Sequence, residues 1–317
     1  MNKFLAALAI VFALPASAGT IGPYSDVYYF GDSLTDSGNA ATLSAQFNLN
    51  FDYNSYPLGQ FTNGNTWATQ IGATPSLLGG TNYAFGGART VDNGDIIPDL
   101  GAQIGQFVAD APTLGQTPLA AIWIGGNDFR DFAAAGAGGG DPTVIAGFVG
   151  GLITEISTAV STLAGAGIGE VVVFGLPDLG KLPDFVGTQF GAAVTQIVTG
   201  YNTALQGNVL QLDAWFAGAK ISYFDVNSLF LQALGPNNPL GYTNWTQACL
   251  DNLAACQGNE DTWVFWDSIH PTESVHAAIA GAFVDQVAPV PLPAGFPLLL
   301  GGLAVFGLVS SRRKSLA

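Results

Sequence analysis

"FGDSLTDSGN", residues 30–39, follows directly on Val27-Tyr28-Tyr29 and turns an apolar run into a polar loop within two residues. An apolar, aromatic stretch without alternation predicts a strand covered on both faces. The glycine, aspartate and serine behind it predict a tight turn out of that strand. The pattern recurs: residues 120–124, 171–174 and 221–224 are equally apolar, and each run is followed by Gly or Asp. Between the later runs lie Ala-rich, helix-compatible segments, residues 143–163 and 192–215. Strands separated by helices predict βαβ units, an α/β fold whose mostly parallel sheet has helices on both faces.

In such sheets the ligand site lies beyond the carboxyl ends of the strands. Gly31, Asp32 and Ser33 are therefore expected at one edge with Gly125, Gly126, Asn127 and Asp128. Near the end of the body stands Asp267-Ser268-Ile269-His270-Pro271, an acid and a histidine three residues apart. A serine hydroxyl attacks poorly alone, but a histidine can take its proton while an aspartate holds the imidazole in the right tautomer. Ser33, His270 and Asp267 supply those three parts, and the Asn127 amide can donate to a developing oxyanion. Plainer readings stand beside these: Ser33 as a helix cap, Asn127 as a turn residue. His276, the other histidine, sits at a helical spacing in "ESVHAAIA" and reads as structural. Two histidines make a metal-dependent hydrolase a poor fit, since catalytic zinc sites take two or three; no metal and no cofactor are expected.

Four blocks carry a family resemblance: "FGDSLTDSGN" (30–39), "NYAFGGA" (82–88), "GGND" (125–128) and "DSIHPT" (267–272). In this order they resemble the GDSL-type esterases and lipases of the SGNH hydrolase superfamily, over nearly all of residues 27–285. The resemblance implies a three-layer α/β/α sandwich on a mostly parallel five-stranded, flavodoxin-like sheet. It implies Ser33 as nucleophile, Asp267 and His270 as its partners, and an oxyanion hole of the Ser33 amide, Asn127 and Gly87, with Gly86 the alternative register. "YPLGQFTNG" (56–64) and "GLPDLGKLP" (175–183) also match, with Gln60 where members of the family often carry Arg. The elbow pattern G-x-S-x-G of ordinary α/β-hydrolases is absent, Thr35 standing where its second glycine would be. Asp32, Asp36 and Asn39 are expected to order the nucleophile loop through local hydrogen bonds. The aromatic segment with Phe47, Phe51, Tyr53, Tyr56, Phe61 and Trp67 either walls a groove for an acyl chain or packs as a long loop on the body. The stretch 235–262 reads as a rim insertion.

Composition and the two ends bound the setting. All 23 acidic residues lie between Asp26 and Asp285, against four cations in that interval. A body this acidic repels phosphates, which excludes nucleic acid as a partner. Residues 1–18 combine a lysine near the start, an apolar run and Ala16-Ser17-Ala18 as a cleavage site, a signal peptide. In an oxidising compartment Cys249 and Cys256 are expected to pair. Residues 290–317 begin Val290-Pro291-Leu292-Pro293-Ala294, continue as an uncharged apolar run and end on Arg312-Arg313-Lys314. This resembles the VPLPA-type variant of PEP-CTERM sorting tails, implying processing by an exosortase-like membrane enzyme; the alternative is a permanent single-pass anchor. The working domain is therefore expected over residues 19–289, exported to the envelope or surface. Its expected substrate is a carboxylic ester, of a lipid or an acylated small molecule or sugar. A non-catalytic surface or matrix protein on the same fold, or an acyltransferase using the same site, are the competing functions.

Overall fold

Tyr28 and Phe30 point to one side of their strand and Tyr29 to the other, and all three are buried. Tyr28 and Phe30 meet Phe107 edge-on at 5.0 and 5.7 Å, while Tyr29 meets Trp67 at 5.6 Å. A strand sandwiched between two helical layers needs apolar side chains at every position, hence the absence of alternation. The structure, a computed structural model, describes residues 21–288; the expected signal peptide (1–18) and sorting tail (290–317) lie outside the described residues.

The strands are β1 (Asp26–Gly31), β2 (Pro118–Trp123), β3 (Glu170–Phe174) and β4 (Lys220–Phe224), all parallel and adjacent in that order. A short parallel pair, β5 (Asn244–Ala248) and β6 (Trp263–Phe265), stands apart. The helices are α1 (Asn39–Gln46), α2 (Trp67–Gln70), α3 (Leu100–Asp110), α4 (Gly126–Ala134), α5 (Pro142–Gly165), α6 (Gly191–Trp215), α7 (Val226–Ala233), α8 (Leu253–Cys256) and α9 (Glu273–Val287). Helices α3, α5 and α6 follow one another along one face, and α2 packs on α9 across the other. There Trp67 and Phe283 pack on Phe174 of β3 at 4.8 and 5.5 Å. The α/β architecture read from the sequence is the one observed.

The sheet differs in one respect from the expected five strands. The fifth position, outside β1, is held by residues 81–85 without a regular ladder. Tyr29 N donates to Thr81 O, and the Tyr83 and Phe85 amides donate to Tyr29 O and Gly31 O. Asn82 Oδ1 turns back to accept from the Ala84 amide at 2.9 Å, so the local side chain competes with the ladder and leaves a single bridge. Among the described residues α5 alone is long and apolar enough to cross a membrane. Here its Leu152, Ile156, Ala159, Val160 and Leu163 are buried.

Gly31 ends β1 at φ 153°, and a Cβ there would collide with the Trp123 carbonyl oxygen on β2. Only glycine lets the chain turn out beside β2 so closely. Gly31→Ala is expected to destabilise the body by about 3 kcal/mol or more, since it adds backbone strain to a backbone clash. Urea unfolding measures this, and an unchanged midpoint would refute the close approach.

Candidate active site

The loop after β1 is ordered by its own carboxylates. Asp32 Oδ1 accepts from the Leu34 amide at 3.0 Å, and Asp32 O from the Thr35 and Asp36 amides at 3.0 and 2.9 Å. Asp36 accepts from the Gly38, Asn39 and Ala40 amides at the start of α1, and from the Gly86 amide at 2.8 Å. Asn39 Nδ2 donates to Asn82 O and Ala84 O, while Asn82 Nδ2 donates to Thr35 O at 2.6 Å. Side-chain to backbone bonds thus weld residues 32–39 to residues 82–88. Burial lifts the Asp36 carboxyl to about 6 against the pull of its four amide donors.

Ser33 is presented at the top of this turn. His270 Nε2 lies 2.7 Å from Ser33 Oγ, and His270 Nδ1 lies 2.6 Å from Asp267 Oδ2. An ionised carboxylate only accepts, so the ring proton sits on Nδ1 and Nε2 is left to accept from the serine hydroxyl. Asp267 Oδ1 accepts from the Ile269 and His270 amides at 2.8 and 2.7 Å, which folds the D-x-x-H turn around its own acid. Burial would raise the Asp267 carboxyl, but the His270 charge and bond and the Tyr56 hydroxyl outweigh it and hold it at about 2. It is therefore ionised throughout the range in which an imidazole titrates.

Three N–H donors are expected to serve the oxyanion: the Ser33 and Gly87 amides and Asn127 Nδ2. Neither the Ser33 nor the Gly87 amide has an acceptor among the described residues, whereas the Gly86 amide is taken by Asp36. Gly87 adopts φ 88°, and its carbonyl is drawn away to accept from Arg89 Nη1 at 3.0 Å, while Arg89 Nε pairs with Asp131 at 2.6 Å. Asn127 enters from the first turn of α4; its Nδ2 donates one hydrogen to Ala88 O at 2.8 Å and keeps the other. Asp128 fastens the same helix to the glycine loop by accepting from the Thr90 and Val91 amides.

Ser33, Asn127 and His270 open into an apolar pocket walled by Leu179, Leu182, Val226, Phe230 and Ile279. The aromatic segment does not line it. Trp67 is core, Phe47 and Tyr53 are exposed, and Phe51, Tyr56 and Phe61 line a second cleft. Tyr56 does something the sequence did not announce: its hydroxyl donates to Asp267 Oδ2 at 2.6 Å. No motif marks it; the only signal was a tyrosine in a segment with more rings than a loop needs. The Gln60 carboxamide serves the turn, Oε1 accepting from the Thr66 amide.

The rim insertion sends Leu240 to the pocket at Ser33 and carries a disulfide behind it. Cys249 and Cys256 are joined, and with Trp263 and Trp266 they form a small buried cluster on which Tyr56 packs. His276 is fully buried, accepts from the Trp67 amide through Nδ1, and is held neutral by burial, its pKa lowered to about 3. Among the described residues no group of three or more His, Cys, Asp or Glu is disposed to hold a metal.

Two expectations follow from these environments. Tyr56→Phe keeps the ring and removes one bond to a buried charge, so kcat should fall roughly 10- to 100-fold with KM little changed. An unaltered kcat would show that the Tyr56 hydroxyl is incidental. Asp32, fully buried, is lifted by desolvation to about 7 despite the Leu34 amide and the His270 charge. A carboxyl raised on folding contributes stability below the ordinary carboxylate range that is lost as pH rises through 7. Melting temperature should therefore decline between roughly pH 4 and 8, and Asp32→Asn should flatten the decline; equal slopes would assign it to another group.

A family profile described as GDSL-like lipase/acylhydrolase matches residues 27–283. A GDSL esterase/lipase of Arabidopsis thaliana is 26% identical over 90% of this chain and 97% of its own. The secreted effector protein SseJ of Salmonella typhimurium is 24% identical over 82% of this chain, which spans 63% of that relative's length. The thermolabile hemolysin of Vibrio parahaemolyticus is 28% identical, again over 82% of this chain and 63% of its own length. Among solved structures, a mutant acetyl-xylooligosaccharide esterase from Geobacillus stearothermophilus covers 86% of this chain and 99% of its own at 15% identity, with a TM-score of 0.46. With a profile that spans most of the residues whose geometry is described above, the chain belongs to the GDSL-like lipase/acylhydrolase family and is a hydrolase of ester bonds.

Proposed function

We propose that the protein is an exported serine carboxylesterase working through an acyl-enzyme on Ser33. The observation that carries the reading is the continuous chain Ser33 Oγ, His270 Nε2, His270 Nδ1, Asp267 Oδ2, with separations of 2.7 and 2.6 Å, which joins Ser33 to His270, 237 residues further along the sequence. His270 takes the Ser33 proton as Oγ attacks the ester carbonyl. The resulting oxyanion is held by the Ser33 and Gly87 amides and Asn127 Nδ2. His270 then passes the proton to the departing alcohol oxygen, and water, activated by the same ring, releases the acid. Gly87 fills the hole rather than Gly86 because its amide has no acceptor among the described residues, whereas the Gly86 amide serves Asp36.

The apolar pocket behind Ser33 receives the acyl part. A side chain of carbon fits walls of Leu, Val and Ile, and a polar one would lose its hydration there. Residues 1–18 support export, as does the naming of one relative as a secreted effector. In the same reading residues 290–317 are a sorting tail taken by an exosortase-like enzyme.

Ser33→Ala should leave melting temperature nearly unchanged and lower hydrolysis of p-nitrophenyl butyrate on the order of 10⁶-fold, the scale seen when a nucleophile of this kind is removed. Labelling by a fluorophosphonate probe should vanish with it. A folded variant that still turns over the ester, or a wild-type protein that never reacts with the probe, would overturn the assignment.

A further inference from the structure

A second apolar recess lies beyond the Phe61 ring that packs on His270. It lies between α1, residues 49–61 and residues 85–97, is open to solvent, and is walled by Leu43, Leu49, Phe51, Phe61, Ile96 and Ile97. We propose that this cleft is the alcohol-side subsite, taking an apolar, uncharged alkyl or aryl alcohol portion of the ester. The proposal rests on the esterase reading above and adds the substrate class to it.

The cleft adjoins the reacting groups at two of its lining residues, Phe61 and Gly86. The Phe61 ring lies 5.4 Å from the His270 ring, tilted by 34°, and Phe51 packs edge-on against Phe61 at 5.6 Å. Gly86 touches the Phe61 ring, which a Cβ there would strike, and a Cβ at Gly87 would come 2.8 Å from Ile97. The cleft therefore starts at the contact between the glycine loop and the ring that packs on the imidazole. An ester carbonyl carbon bound to Ser33 has two remaining substituents, the acyl carbon and the leaving oxygen, which depart in different directions. The enclosed pocket at Ser33 and Asn127 takes the first. The leaving oxygen must lie within reach of His270 Nε2, and the recess beside that ring takes what the oxygen carries.

Charge and polarity define the occupant. The single charged side chain on the cleft wall is Asp52, in a chain of net charge −15. An anionic alcohol portion is repelled there. A sugar would set most of its hydroxyls against Leu, Ile and Phe, with only Ser44, Asn50, Asp52 and Tyr56 offering polar side chains, at a cost in lost hydration. An alkyl or aryl group meets neither obstacle. Two apolar recesses flanking one nucleophile thus describe an ester with a hydrocarbon arm on each side.

The test measures kcat/KM by acid release from the hexanoates of methanol, butanol and octanol. A parallel series takes the methyl esters of acetate, butyrate and octanoate. We expect at least a tenfold rise from methyl to octyl hexanoate, below the limit of about fourfold for each fully buried methylene. Leu49→Asp and Ile96→Asp lie on opposite walls, at side chains 54% and 61% exposed, so folding does not depend on them. Each should lower the octyl-to-methyl ratio about tenfold while the ratio across the acyl series stays as in the wild type. A flat alcohol series with a rising acyl series overturns the subsite and leaves the esterase reading standing. Variants that alter the acyl ratio instead overturn the assignment of the two arms. Hydrolysis of no ester in either series overturns both.

Discussion

Burying the Asp267 carboxylate beside an imidazole is the constraint on which the rest of this structure depends. A charge removed from water must be satisfied by fixed donors or it is neutralised. Asp267 has four: the Ile269 and His270 amides, His270 Nδ1 and the Tyr56 hydroxyl. Three come from its own turn and cost the chain little. The fourth has to be brought from more than 200 residues away, and much of the body's peripheral structure answers to that requirement. Trp266 Nε1 donates to Ser55 O at 2.8 Å, Asn65 N donates to Glu273, and Glu273 N donates to Asn63, so residues 55–65 are stitched to both sides of the acid–histidine turn. Behind them the Cys249–Cys256 cluster gives Tyr56 a surface to rest on.

The glycine loop obeys a related logic. A backbone amide can serve an oxyanion only if nothing else accepts from it, and a buried amide without a partner is normally avoided. In the proposed reading this is met by directing neighbouring amides elsewhere, Gly86 to Asp36 and Ala88 to Phe85, and by turning Gly87 into a left-handed conformation. Arg89, one of the few cations in an acidic body, ties the Gly87 carbonyl to α4 through Asp131. Exposed ion pairs contribute at most about 1 kcal/mol to stability, so its effect is to aim a loop. Asn127 and Asp128, adjacent on α4, share that loop from the other side by bonding Ala88, Thr90 and Val91.

Burial works in opposite senses within one site. Asp267, beside the His270 ring and rich in donors, is held at about 2, whereas Asp32, with fewer donors, is lifted to about 7. Desolvation raises both, and only local donors and charge decide which effect wins. The apolar pocket at Ser33 acts in the same sense, since beside its walls a hydrogen bond or charge acts through a medium of lower dielectric than bulk water.

The amino-acid sequence by itself determined the layered α/β fold, because strands buried on both faces must be apolar at every position and say so in runs such as residues 171–174. It also determined which residues form the serine–histidine–aspartate chain, because that chemistry needs particular side chains on turns whose glycines and aspartates are local signals. It did not show that residues 81–85 stop short of a regular strand, a competition between the Asn82 side chain and the ladder that only the folded neighbours resolve. Nor could it tell Gly86 from Gly87, since their difference lies in which amide Asp36 reaches across the fold. Tyr56 was hidden for the same reason. Its bond to Asp267 spans 211 residues, and no local pattern encodes a contact that exists only once a loop, a disulfide and a turn have been packed together.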